Sequence, residues 1–183
     1  MNLTLNEAHQ REMRLAYLDG APGILVSGLV WIAAATLCHF VDVTQGVWTL
    51  LVGGALIYPI GLLVGKLMGA SVSIDKSNAL NPLAMASTIW LILCCAMAYG
   101  LYTLNPALFF PAMLASIGCR YLIFASIYAR SIYWVLGGCL IAASQLALFA
   151  SISPGLAAGL GGMIEIVFAV WIFFRTANQT SPQ

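Results

Sequence analysis

Two ionisable residues stand apart from every other charge in this chain. Arg120 and Glu165 each lie inside a long apolar stretch, ten residues before the arginine at its far boundary, Arg130 and Arg175 respectively. A charge at the centre of a membrane helix costs roughly 2.5–3.5 kcal/mol even on the lenient insertion scale. Groups kept there commonly serve a substrate, ion or proton path. At about 1.5 Å per residue, both should lie about 15 Å from the same membrane face, near half the hydrocarbon thickness. Opposite charges at matched depth can pair. Such a pair can fix helix register and nothing more, or it can contribute to a path for a solute, ion or proton; the residues leave both readings open.

The neighbours add detail. Ala158, Gly161, Gly162 and Ala169 surround Glu165 at helical spacing, a small-residue stripe that lets another helix approach and turns the carboxyl toward protein. Ser116, Phe124 and Ile127 share a face with Arg120, and Gln145 adds a polar group at depth in the following stretch. Arg120, Glu165, Ser116 and Gln145 therefore form the expected central polar site. Four further residues are accessory candidates. Arg14 and Asp19 precede the first stretch and can pair there, and Asp19 can also cap its first turn. His39, beside Asp42 near the other end of that stretch, is either a solvated interface residue or a point where protons are taken up. Pro59 removes a helical hydrogen bond and is a candidate hinge.

Other recognised chemistry is missing. The chain has no HExxH, no GxSxG, no His/Cys cluster and no paired carboxylates within one span, so no catalytic role, cofactor or metal is assigned. Its glycine runs follow no strand and precede no Lys-Ser/Thr, which makes them helix-packing surfaces rather than phosphate loops. The five cysteines all fall in apolar stretches and read as small packing residues.

The elements that must hold these groups follow from hydropathy. The 183 residues are 62% apolar and 7% charged, against about 25% charged in soluble domains. Six apolar spans run at about 20–41, 46–65, 82–102, 106–129, 131–151 and 154–174. Six spans of roughly 20 residues use most of the chain, so residues 1–183 form a single membrane domain. Before them, residues 1–19 should form a short interfacial helix, with Thr4 and Glu7 as a capping box. Pro82, Pro106 and Pro154, each after a capping side chain, mark three helix starts.

All lysines and arginines except Arg120 fall at one alternating set of boundaries: Arg11, Arg14, Lys66, Lys76, Arg130 and Arg175. That is the positive-inside pattern of a six-span protein with both termini cytoplasmic. A net charge of +1 without a basic patch excludes a nucleic-acid partner. The expected fold is thus all-α, an integral membrane bundle of six transmembrane helices with an N-terminal cytoplasmic interfacial helix. Three spans per half would permit an inverted repeat, although residues 20–102 and 106–175 share no convincing internal similarity.

The segment Arg14-x-x-Tyr17-x-Asp19-Gly20-x-x-Gly23-x-x-x-Ser27-Gly28-x-x-Trp31 resembles the opening of a small family of uncharacterised bacterial polytopic membrane proteins. That resemblance implies a bacterial inner membrane and no particular activity. Three functions stay open. The leading expectation is a small transporter or channel-like protein for a small solute or ion. The alternative is a structural or partner-binding subunit, or a homo-oligomer, in which the Arg–Glu pair only sets packing. The third, an intramembrane enzyme, would depend on Lys66, Asp75, Lys76 and the N-terminal charges at the membrane surface.

Overall fold

The computed structural model describes residues 4–70 and 77–180, with side chains as far as Arg175. Lys76 and Asp75 lie outside the described residues. Seven α-helices carry the described chain: α1 (Leu5–Tyr17), α2 (Ala21–Phe40), α3 (Val43–Leu67), α4 (Asn81–Leu104), α5 (Phe109–Tyr128), α6 (Ile132–Phe149) and α7 (Pro154–Thr180). Short 3-10 turns at Leu18–Gly20 and Pro106–Leu108 lead into α2 and α5.

Local chemistry explains most boundaries. Glu7 Oε2 accepts the Thr4 amide at 2.8 Å and Thr4 Oγ1 accepts the Glu7 amide at 3.4 Å, so the capping box closes α1. Asp42 Oδ1 accepts from the Gln45 amide at 2.9 Å and starts α3. Asn105 does the same for Ala107 at 3.0 Å. Asn81 does not cap α4; it is the first helical residue, and Asn78 Oδ1 accepts the Leu80 amide at 2.9 Å instead.

The helix α1 is clamped rather than loosely laid on a surface. Gln10 Nε2 donates to the Ser126 carbonyl and Arg14 Nη1 to the Tyr128 carbonyl, both at 2.9 Å, pinning α1 across the end of α5. Buried Asn78 donates to Glu12 Oε2 at 2.6 Å and ties the chain before α4 to the same helix. Leu18, Asp19 and Gly20 then adopt positive φ of 50°, 53° and 79°, a left-handed corner into α2. A Cβ at Gly20 would collide with the Tyr133 hydroxyl, so the corner requires glycine there.

Among the described residues, six helices are long and apolar enough to cross a membrane, which makes the chain a multi-pass membrane protein. The helix α2 packs between α3 and α7, α5 packs between α4 and α6, and α6 meets α7. Exchanging the first three spans for the last three turns α2–α3 into α5–α6 and α2–α7 into α5–α4. The packing therefore has the connectivity of an inverted repeat, except that nothing comparable to α6–α7 joins α3 to α4. Two glycine seams hold the centre. A Cβ on Gly28 of α2 would come within 3.1 Å of the Gly162 carbonyl on α7, and one on Gly137 of α6 within 2.7 Å of the Gly118 carbonyl on α5. The peripheral α3 and α4 keep broad apolar faces, with Leu63 57% and Met97 68% exposed.

Candidate functional site

Glu165 sits in the middle of α7 with its side chain completely buried. Small residues along one face of α7 admit it to the bundle centre, since Ala157, Ala158 and Ala169 are likewise buried. Tyr121 of α5 donates its hydroxyl to Glu165 Oε1 at 2.8 Å. The Ser27 hydroxyl on α2 interacts with the same carboxyl. Oε2 has no hydrogen-bond partner among the described residues. A buried carboxyl with an unused oxygen is costly, which marks it as functional or strained. Trp31 packs on α7 at Gly161, one turn from Glu165, with a buried indole N–H that has no partner among the described residues and its ring against Phe110 at 6.1 Å.

Arg120 does not form the direct ion pair expected with Glu165. Its Nη2 donates to Thr88 Oγ1 of α4 at 3.1 Å, and its guanidinium lies 5.1 Å from the Phe124 ring centroid. The reason is helical azimuth. Consecutive residues project about 100° apart, because 3.6 residues make a turn. Arg120 thus points into the α4–α5 groove while Tyr121 points to α7. The depth of the two groups does match, since the residue next to Arg120 reaches Glu165. They feel one another's charge but do not touch.

The remaining expected residues separate. Ser116 turns back on its own helix and donates to the Ala112 carbonyl at 2.7 Å. Gln145 is exposed on the outside of the bundle. Its neighbour Ser144 is the buried polar group, donating to the Pro111 carbonyl at 2.8 Å and joining α6 to α5. Pro59 lies inside α3 with an exposed ring. Arg14 feels the charge of Asp19, and Asp19 does not cap α2, whose start has Gly20 as its uncapped preceding residue. Asp19 instead receives two bonds from Arg130, Nε to Oδ1 at 3.0 Å and Nη2 to Oδ2 at 3.2 Å. Burial, and then the positive Arg130 nearby, draw the Arg14 guanidinium below its ordinary range. Burial and the adjacent Tyr58 hydroxyl raise the Tyr17 phenol to about 12.

The residues that local reading missed are Tyr121, Ser27, Thr88, Arg130 and Tyr133. Tyr121 and Tyr133 pack at 5.9 Å between centroids, Tyr128 stacks on Tyr133 at 5.4 Å, and Tyr133 donates its hydroxyl to the Asp19 carbonyl. A buried aromatic column therefore runs from the Glu165 carboxyl to the end of the bundle where Arg14 and Arg130 gather. The only hint in the residue order is that Tyr121 follows Arg120 and Ser27 lies within the N-terminal motif.

Two cavities lie at opposite ends of the α2–α7 seam. One, of about 170 Å³, is lined by Asp19, Arg130, Ser131, Trp171 and Arg175 among others, at the basic end. The other, of about 330 Å³, is lined by Ala35, Cys38 and His39 of α2 and by Ser153–Leu156 at the start of α7. Glu165 lies on α7 between the two walls, and the seam is closed by the Gly28–Gly162 contact. Among the described residues, no three His, Cys, Asp or Glu side chains gather where they could hold a metal ion. The five cysteines are free thiols.

Bundle and buried carboxyl together define a helical multi-pass membrane protein with a polar centre. Residues 6–175 match the sequence profile of DUF7010, a family of unknown function, and the chain belongs to that family. No curated protein and no solved structure matches the chain.

Proposed function

We propose that this protein is a small transporter or channel-like protein that moves a proton or small ion along the α2–α7 seam, with Glu165 as its central group. The observation that carries the reading is the location of Glu165. A fully buried carboxyl with one unpartnered oxygen lies midway along a seam whose two ends open into cavities. His39 belongs to one cavity wall and Asp19 to the other. Tyr121 and Ser27 hold the carboxyl, and the Tyr121–Tyr133 column leads from it toward Asp19. Arg120 supplies a nearby positive field without neutralising Glu165 by contact. The seam is shut in this arrangement, so passage requires α2 and α7 to part at Gly28 and Gly162. The clustering of Arg11, Arg14, Arg130 and Arg175 supports an inner-membrane orientation with the basic end and both termini in the cytoplasm.

Proton flux into proteoliposomes under an imposed pH gradient tests this directly. The native protein conducts, Glu165→Gln abolishes flux, Tyr121→Phe reduces it and Gln145→Ala leaves it unchanged. Equal flux through native and Glu165→Gln protein overturns the reading. A second reading, a structural subunit or homo-oligomer, draws support from the exposed apolar faces of α3 and α4, which suit a second copy. It requires an oligomer in detergent that substitutions at Leu63 or Met97 dissociate, with no flux in any variant.

A further inference from the structure

We infer that the cavity at the basic end is a seat for the phosphate group of an anionic lipid. This assignment holds whether or not Glu165 carries a path. Arg130 and Arg175 both line the cavity, with Ser131 and Trp171 between them. Arg130 is oriented by its two bonds to Asp19 and keeps 35% of its side chain exposed. The second arginine, Arg175, is exposed and rests on Trp171, 5.6 Å from guanidinium carbon to ring centroid. A guanidinium stacked on an indole keeps its donor edge free for a phosphate while its flat face is occupied.

Charge favours an anion here. Arg14 lies close enough to feel both Arg130 and Asp19. Three arginines thus surround one carboxylate, leaving the corner positive. The wall also contains the start of α6. Ser131 precedes Ile132 with no side-chain cap, and both residues line the cavity, so the positive end of an 18-residue helix adds to the field. Position selects the source of the phosphate. The cavity lies where α5 ends, α6 begins and α7 leaves its apolar run, with exposed Trp171 and buried Ile172 in its wall. That is headgroup depth, where a lipid phosphate arrives already concentrated and its acyl chains can lie along the apolar surface of the bundle.

Native mass spectrometry of the protein released from mixed micelles tests the site, with phosphatidylglycerol and phosphatidylcholine of equal chain length offered together. Native protein retains phosphatidylglycerol in preference to phosphatidylcholine, and Arg175→Gln lowers that retention by about tenfold, the worth of one charge-assisted hydrogen bond. Arg11→Gln, which removes an exposed charge from the same end outside the cavity wall, retains phosphatidylglycerol like the native protein. Arg175 is exposed, so its substitution leaves the fold intact, and unchanged thermal unfolding of Arg175→Gln verifies this. Equal retention of both lipids, or equal losses in Arg175→Gln and Arg11→Gln, overturns the site. Protection of lipid-free protein by inorganic phosphate, without retention of phosphatidylglycerol, assigns the cavity to a soluble phosphate and overturns the lipid assignment.

Discussion

The two places where this bundle holds opposite charges are built in contrary ways. At the basic end Asp19 and Arg130 meet through two hydrogen bonds, joining residues 111 positions apart in the chain. In mid-bundle Glu165 and Arg120 reach matched depth and remain apart, Tyr121 taking the carboxyl and Thr88 the guanidinium. Azimuth sets the contrast, and solvent access sets what each arrangement costs. Arg130 can keep part of its hydration while it pairs. A fully buried Arg–Glu pair would have to desolvate both ions, and the attraction between them often fails to offset that loss. In the chain as folded, Arg120 stays in a part-buried groove against the Phe124 ring with its Nε covered, and Glu165 is fully buried.

The first way to break the contrast is at the basic end. Asp19→Asn keeps a residue that tolerates the left-handed conformation and removes only the charge. It should destabilise the protein by roughly 1.5–3 kcal/mol, the worth of hydrogen bonds to a charged group. Thermal or detergent-driven unfolding measures this. A loss below about 0.5 kcal/mol would mean a screened surface pair and erase the difference between the two regions.

The buried carboxyl should answer differently. Tyr121→Phe strips Glu165 of the hydrogen bond from the Tyr121 hydroxyl and should cost about 1–2 kcal/mol, the desolvation of an unsatisfied buried group. Glu165→Gln keeps an oxygen to accept from Tyr121 and should change stability by less than about 1 kcal/mol. Stability that survives Glu165→Gln while flux disappears separates function from architecture. If Glu165→Gln unfolds the bundle as readily as Asp19→Asn, the carboxyl is structural after all. Arg120→Gln should be smaller still, below about 1 kcal/mol, because it loses one neutral-acceptor bond and one cation–π contact in a part-buried groove. Doubling the substitution with Glu165→Gln tests their independence. An interaction energy above about 0.5 kcal/mol would indicate coupling closer than the separation of their partners implies.

What could be read from residue order divides along a physical line. Hydropathy reports depth, so six spans and the shared level of Arg120 and Glu165 were legible. Local grammar was legible too: the Thr4–Glu7 box, the Asn105 cap and the start of α7 at Pro154 all form. Azimuth was not. Helices apolar around their whole circumference give no amphipathic stripe to indicate which face turns inward. Gln145 and Ser144 differ by one residue, yet one faces outward and the other bonds α5. Asp19 shows a second limit. An aspartate before a helix suits capping, and nothing nearby in the chain reveals an arginine delivered to it from the α5–α6 connection.

The smallest effect concerns the exposed end of α1, where charge acts without burial. The Thr4 backbone amide, and then its hydroxyl, hold the fully exposed Glu7 carboxyl below its ordinary range. A carboxyl whose value is depressed on folding contributes stability above its unfolded value, about 4.3 for glutamate, and loses it as pH falls through the folded value. Amide hydrogen exchange across residues 4–17 should therefore be unchanged from pH 7 to pH 5, after correction for intrinsic rates. Protection at Glu7 and Ala8 should weaken below that ordinary value, while Arg14 keeps its bond to the Tyr128 carbonyl. Because that bond and Gln10 clamp the rest of the helix, fraying should stop within its first two turns. Loss of protection through Tyr17 over the same pH range would show that the capping box, rather than the clamp on α5, holds α1 in place.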